Sequence, residues 1–168
     1  MKKLYLLRHA KAAPAQDGGA DRERPLTERG QRAARALARW LGARRVEPEL
    51  ILCSSAVRTR QTLALILPAF AAARQVLYEE GLYLAEARGL LARLRKVPAA
   101  TASVLLVGHN PGLEELMVRL AGEAGRRAEM PTGALALFEL AAGWDELDAA
   151  SARLTELVTP KDFGRERE

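Results

Sequence analysis

The sequence predicts an α/β fold: a single three-layer α/β/α domain, residues 1–168, built around a central, mostly parallel sheet. Three observations carry this. Apolar runs of strand length alternate with longer segments whose apolar residues recur at helical spacing. The 168 residues are one domain's length and can bury one sizeable core. No internal repeat, linker or low-complexity segment divides them.

The first strand is the run Leu4-Tyr5-Leu6-Leu7, which delivers Arg8 and His9 to its carboxyl end. Residues 12–24, with Pro14, Gly18 and Gly19, read as an exposed loop. Thr27 is the expected N-cap of a first helix, with Ala33, Leu37, Trp40 and Leu41 on its apolar face and Gly42 as its stop. Arg32, Arg35 and Arg39 form a stripe on the opposite side, by default a solvated face. Residues 50–53 form the second strand, and Ser54-Ser55 lead into a helix with Thr59, Thr62, Leu63, Ile66 and Leu67 on one side. Residues 75–78 suit a short third strand, and residues 86–96 a helix closed by Pro98. Residues 103–107 are the clearest buried strand. Gly108-His109-Asn110-Pro111-Gly112 breaks it, with Pro111 suited to the first position of the next helix and Asn110 to its cap. Leu113, Leu116, Met117 and Leu120 form that helix's apolar face, and residues 134–140 and 153–159 supply two further strands.

Composition narrows the function classes. No apolar run is long enough to span a membrane and no signal-peptide pattern opens the chain, so a soluble, cytoplasmic protein is expected. The 26 basic and 21 acidic residues leave a net charge of +5, which suits an anionic substrate or acidic partner. Basic blocks and aromatic stacking platforms are missing, so nucleic acid is not expected as a partner. Two histidines and one cysteine make neither a zinc-type cluster nor an internal disulfide, and Cys53 reads as a buried structural thiol. No metal or cofactor is called for.

Three strand ends carry one pattern. Arg8-His9 follows the first strand, Ser54-Ser55-Ala56-Val57-Arg58 the second, and Gly108-His109 the strand over 103–107. Parallel strands would bring these ends to one sheet edge, where α/β folds bind ligands. Two guanidiniums, two imidazoles and two helix amino termini in one small volume would suit a doubly charged oxyanion. Both of the chain's histidines fall at such ends.

Leu7-Arg8-His9-Ala10 resembles the Arg-His-Gly signature of the histidine phosphatase superfamily, in its phosphoglycerate-mutase-like branch. Pro25-Leu26-Thr27-Glu28-Arg29-Gly30, Ser54-Ser55-Ala56-Val57-Arg58-Thr59-Arg60-Gln61-Thr62 and Val107-Gly108-His109-Asn110-Pro111-Gly112 match further blocks in the same order. The short length, Ala10 and Met130-Pro131-Thr132-Gly133 are most similar to the SixA-type phosphohistidine phosphatases, and the match runs on to Pro160-Lys161-Asp162-Phe163. The resemblance implies a phosphoglycerate-mutase-like fold and a metal-independent phosphohydrolase. His9 would attack phosphorus and become transiently phosphorylated, while Arg8, Arg58 and His109 hold the phosphoryl oxygens. Ala10 stands where the superfamily usually has Gly, and its methyl is expected to narrow the turn. Relatives often take the leaving-group acid from a carboxylate after the third strand; here that is Glu80 or, second, Glu79.

The implied substrate is phosphohistidine in a protein. The alternative is a phosphatase of small phosphate esters on the same site. A mutase would need long insertions that the sequence lacks. A non-catalytic phospho-binding module, docking an acidic partner through the arginine stripe, would have no use for a nucleophile. Residues 80–103 hold little more than one helix, and neither they nor residues 12–24 read as a lid, so the pocket is expected to be open and shallow.

Overall fold

Six strands pair into one sheet in the computed structural model, which describes residues 1–71 and 74–163. They are β1 (Lys2–Arg8), β2 (Leu50–Ser54), β3 (Gln75–Glu79), β4 (Ser103–Gly108), β5 (Leu135–Leu140) and β6 (Ala152–Val158). Their order is β3-β2-β4-β1-β5-β6. The first four run parallel to their neighbours among themselves, and β5 and β6 form an antiparallel flank. The mostly parallel sheet expected from the sequence is what the chain builds. Residues 164–168 of the expected domain lie outside the described residues.

Side-chain alternation along the strands makes three layers. Leu4 and Leu6 of β1, Leu52 of β2 and Leu106 of β4 pack with α3 (Ala87–Arg95) and α4 (Gly112–Ala121) through Leu90, Leu94, Leu116 and Leu120. Tyr5, Leu7, Ile51 and Val107 point the other way, onto α1 (Glu28–Ala43) and α2 (Val57–Ile66) through Leu37, Trp40, Leu63 and Ile66. The connection leaving β1 crosses to β2 on one face, and the connection leaving β4 crosses to β5 on the other. β1 and β4 are neighbours, so their diverging chains open a crevice at the carboxyl edge. Register sets the height of the two strand ends: Arg8 pairs with Gly108, so His9 and His109 emerge side by side.

Several local expectations shift. Thr27 caps α1 as expected, its hydroxyl accepting the Gly30 amide at 3.0 Å. Leu37, Trp40 and Leu41 are buried on its apolar face as expected, with Ala34 rather than Ala33 beside them. Gly42 does not stop α1; the helix runs through it to Ala43, and Arg45 makes the left-handed turn at φ 53°. α4 begins at Gly112, one residue later than Pro111, yet Asn110 still accepts the Glu114 amide through Oδ1 at 3.2 Å. A Cβ at Gly112 would lie 1.9 Å from the Ala85 carbonyl, so this glycine lets the chain after β3 close onto α4. The arginine stripe of α1 is exposed, and among the described residues no helix is long and apolar enough to cross a membrane.

Candidate active site

His9 is buried directly after β1, and its backbone amide donates to the Gly108 carbonyl at 3.2 Å. Its ring Nδ1 lies 2.7 Å from the Ala10 carbonyl. A carbonyl can only accept, so Nδ1 carries the proton and the Nε2 lone pair is free. Burial, reinforced by Arg58, Arg8 and Arg24, pushes the His9 imidazole down to about 4, so it is neutral near pH 7. The Ala10 amide is pinned to the Thr62 hydroxyl at 3.0 Å. The Ala10 methyl packs with Leu26 and Ala34 and does not line the cavity.

His109 follows β4 in the same way, its ring centroid 5.3 Å from that of His9. Its Nε2 is 2.7 Å from the Ser54 hydroxyl, at the end of β2. That hydroxyl accepts the Ala56 amide at 3.3 Å, so its proton is available to His109 Nε2. His109 Nδ1 then carries hydrogen, buried and without a partner in the protein. Burial, followed by Arg58 and His9, pushes this imidazole down to about 3.

Arg58, in the first turn of α2, is only 2% exposed. Arg8 donates from Nη1 to the Met130 carbonyl at 3.0 Å, which ties the Met130-Pro131-Thr132-Gly133 segment to the site. The Nε atoms of both arginines are buried and unpartnered, like His109 Nδ1. All three donors belong to side chains lining one cavity of about 500 Å³, together with His9, Lys11, Asn110 and Thr132. Unsatisfied buried donors are rare because each costs about 1–3 kcal/mol. Three such donors on side chains that share a cavity with a free imidazole nitrogen are chemically suited to a multiply charged oxyanion.

The carboxylates are arranged differently from expectation. Glu80 does not line the cavity: its carboxylate is bound by Arg22 at 2.5 Å and by the Ser55 hydroxyl at 2.7 Å, with the side chain 64% exposed. The Ser55 bond, then Arg22, holds its carboxyl below the usual range. Glu79 is spanned by Arg93 through two bonds of 2.7 and 2.8 Å. The acid that does line the cavity is Asp21, in a short 3-10 turn (Asp21–Glu23) of the loop after β1. Its backbone carbonyl accepts Arg58 Nη1 at 2.8 Å and its Oδ2 accepts Arg58 Nη2 at 3.1 Å. Arg24 Nε donates to Oδ1 at 2.9 Å, and the Tyr83 hydroxyl donates to Oδ2. The loop of residues 12–24 thus walls part of the cavity, through Ala12, Asp21 and Arg24.

The structure thus brings Arg8, His9, Arg58 and His109 together at one edge and leaves Glu80 beside it. Sequence patterning does not point to Asp21, Arg24, Ser54 or Tyr83 as site residues. Ser54 sits at the end of β2, where strand-end position is the available signal; Asp21 and Tyr83 arrive on irregular connections that carry no periodic signal. Leu84, next to Tyr83, lines the cavity half-exposed, at a left-handed φ of 51°. Cys53 is fully buried, and burial pushes its thiol up to about 12, the inert structural state expected.

Comparison with known proteins bears on the family and the fold. The family model described as histidine phosphatase superfamily (branch 1) matches residues 4–83. An uncharacterized protein of Mycobacterium tuberculosis is 34% identical over 163 residues, covering 92% of this chain and 100% of that one. A structure from Nakamurella multipartitia, provisionally assigned as a phosphohistidine phosphatase SixA, is 34% identical with a TM-score of 0.81, over 95% of this chain and 96% of that one. A protein histidine phosphatase SixA complexed with tungstate is 25% identical with a TM-score of 0.80, over 95% and 97% of the two chains. The chain belongs to the histidine phosphatase superfamily, and it shares the fold of the SixA-type structures over nearly all of its length.

Proposed function

We propose that this phosphohydrolase is a metal-independent phosphatase that uses His9 as its nucleophile and acts on phosphohistidine in a protein. One observation carries the chemistry: the free Nε2 of a neutral, buried His9 shares its cavity with three buried N–H donors that have no protein partner. In the first step the Nε2 lone pair bonds to phosphorus and the bond to the leaving group breaks, its electron pair going to the leaving atom. Arg8, Arg58 and His109 Nδ1–H take up the charge on the phosphoryl oxygens. The phosphorylated ring keeps its Nδ1 proton on the Ala10 carbonyl, so it is cationic. When water attacks phosphorus, the P–N electron pair returns to Nε2 and neutralises the ring; phosphate leaves and the water's proton passes to solvent.

The lining side chains support a nitrogen leaving group. They include no carboxyl poised to give up a proton, and a phosphohistidine ring protonated on its distal nitrogen departs without one. The half-exposed Leu84 offers an apolar contact at the mouth, suited to a ring presented on a protein surface. SixA-type relatives, one of them bound to the oxyanion tungstate, lend the same reading weight.

Rapid quenching after mixing with a phosphohistidine-bearing protein domain tests the chemistry. It should trap a phosphoenzyme whose phosphate is lost in acid and retained in alkali, absent from His9→Ala. An acid-stable label, or label on His9→Ala, refutes the nucleophile. Micromolar KM and fast turnover on one small ester would refute the protein substrate and leave His9 in place.

A further inference from the structure

Asp21 is an anion placed where an anion should be costly. Its carboxylate lines a cavity whose other ionisable side chains are Arg8, His9, Lys11, Arg24, Arg58 and His109, and whose proposed guest is a phosphoryl dianion. It is also anchored firmly, by Arg24, by Arg58 and by the Tyr83 hydroxyl, which comes from a separate connection. A carboxylate kept only to neutralise Arg58 would not need the other two anchors. These bonds, led by Tyr83, hold its carboxyl at about 2, so at neutral pH it accepts hydrogen bonds and cannot act as a proton donor.

Resting on the phosphohistidine reading, we infer that Asp21 is a specificity-determining residue that accepts the distal N–H of the substrate's imidazole and thereby selects cationic nitrogen leaving groups over oxygen esters. The chemistry requires such an acceptor. Unprotonated phosphoimidazole would have to expel an imidazolate anion, whereas the ring protonated on its distal nitrogen expels neutral imidazole as the P–N pair neutralises it. An acceptor beside that N–H holds the ring in its protonated form. On the enzyme's side of the same displacement the Ala10 carbonyl does this for His9 Nδ1 at 2.7 Å. Asp21 does it for the ring that leaves, with a full charge that suits a cation. For an oxygen ester the charge works against the reaction, because the departing oxygen becomes negative and finds no proton there.

The test is Asp21→Asn, which keeps the shape and removes the charge, assayed on two probes: a synthetic peptide carrying Nε2-phosphohistidine, and 4-nitrophenyl phosphate. For the peptide, kcat/KM should fall about 10-fold or more through loss of one charge-assisted hydrogen bond. For the ester it should rise, since an anion has been removed from the path of another. Asp21→Glu should recover part of the selectivity, and Tyr83→Phe, which loosens the carboxylate, should shift the two substrates in the same opposed directions by less. Parallel losses on both probes would mean that Asp21 merely positions Arg58; parallel gains, that it merely obstructs the pocket. Either overturns this inference and leaves the substrate reading intact. A wild-type protein that turns over the ester and not the peptide overturns both.

Discussion

Replacing Arg58 with alanine is the sharpest probe of the phosphoryl clamp. The guanidinium is 2% exposed, its Nη atoms bind Asp21 and its Nε has no partner, so it is held in place before substrate arrives. Loss of one preorganised charged donor from a desolvated site costs about 3–4 kcal/mol in the transition state, or roughly 10²- to 10³-fold in kcat/KM. Two secondary effects can be set aside. Asp21 loses its ion pair, but Arg24 and the Tyr83 hydroxyl still hold its carboxylate and water can solvate the 47% exposed side chain. Arg58 also helps depress both histidines, so its removal lets them drift up toward 6.5, and an assay at pH 7.5 keeps both rings largely neutral. Arg58→Lys should recover only part of the loss, because an ammonium cannot reproduce the planar fork. Arg60, two residues on, is exposed, with its guanidinium carbon 4.7 Å from the Tyr78 ring centre, and Arg60→Ala should change kcat/KM by no more than about 2-fold. Comparable losses at the two positions, with melting temperatures unchanged, would refute the assignment of the clamp.

Three other outcomes follow from the same geometry. Glu80→Gln separates a leaving-group acid from a rim charge: removing a general acid costs about 10²-fold or more, whereas the Arg22 and Ser55 contacts predict less than about 3-fold with the phosphohistidine peptide. Ser54→Ala removes the hydroxyl that fixes the His109 tautomer and accepts the buried Ala56 amide, so kcat should fall by about 10-fold or more and the melting temperature by several degrees; an unaffected kcat would show that the Nδ1 proton does not depend on Ser54. Both imidazoles are depressed in the fold, to about 4 for His9 and about 3 for His109, against 6.5 unfolded, so the unfolded chain takes up protons first as the pH falls. The stabilisation is complete above about pH 6.5 and is lost below it; urea unfolding should show a loss on the order of 2 kcal/mol per ring at pH 5, and His109→Gln should flatten that dependence.

What could be read from the sequence, and what could not, divides along physical lines. Arg8, His9, Arg58 and His109 were legible because each stands at a fixed offset from the end of a strongly apolar strand, and a parallel sheet gathers such ends without help from any loop. Six strands were legible for the same reason. Helix edges were less so: Gly42 lies inside α1 because the turn that ends the helix is made by Arg45, and Ala34 replaces Ala33 because the helix is seated by the close approach of Gly30, where a Cβ would lie 2.1 Å from the Lys11 carbonyl. Asp21 could not be found by periodicity, since its place depends on residues 12–24 folding back to Arg58 and Tyr83. Glu80 has the offset of an acid after the third strand, but offset does not say that Arg22 and Ser55 bind it.

This division bears on how the site can vary. The groups proposed to handle phosphorus are set by strand ends and a first helical turn: His9 by its amide's bond to the Gly108 carbonyl, His109 by the Ser54 hydroxyl at the end of β2, Arg58 by α2. Three of their buried N–H groups have no acceptor within the protein itself. A rigid frame keeps such donors from turning onto nearby protein acceptors, and a central parallel sheet is such a frame. The groups that would meet the leaving group have another origin. Asp21 comes from the β1–α1 connection, and Tyr83 and Leu84 from the β3–α3 connection, where Leu84 already tolerates a left-handed backbone. These connections touch the phosphorus-handling groups mainly through the Asp21–Arg58 pair and the Tyr83–His109 ring contact at 5.5 Å. Changes in them can therefore alter which leaving group is accepted while the nucleophile and the clamp stay in place.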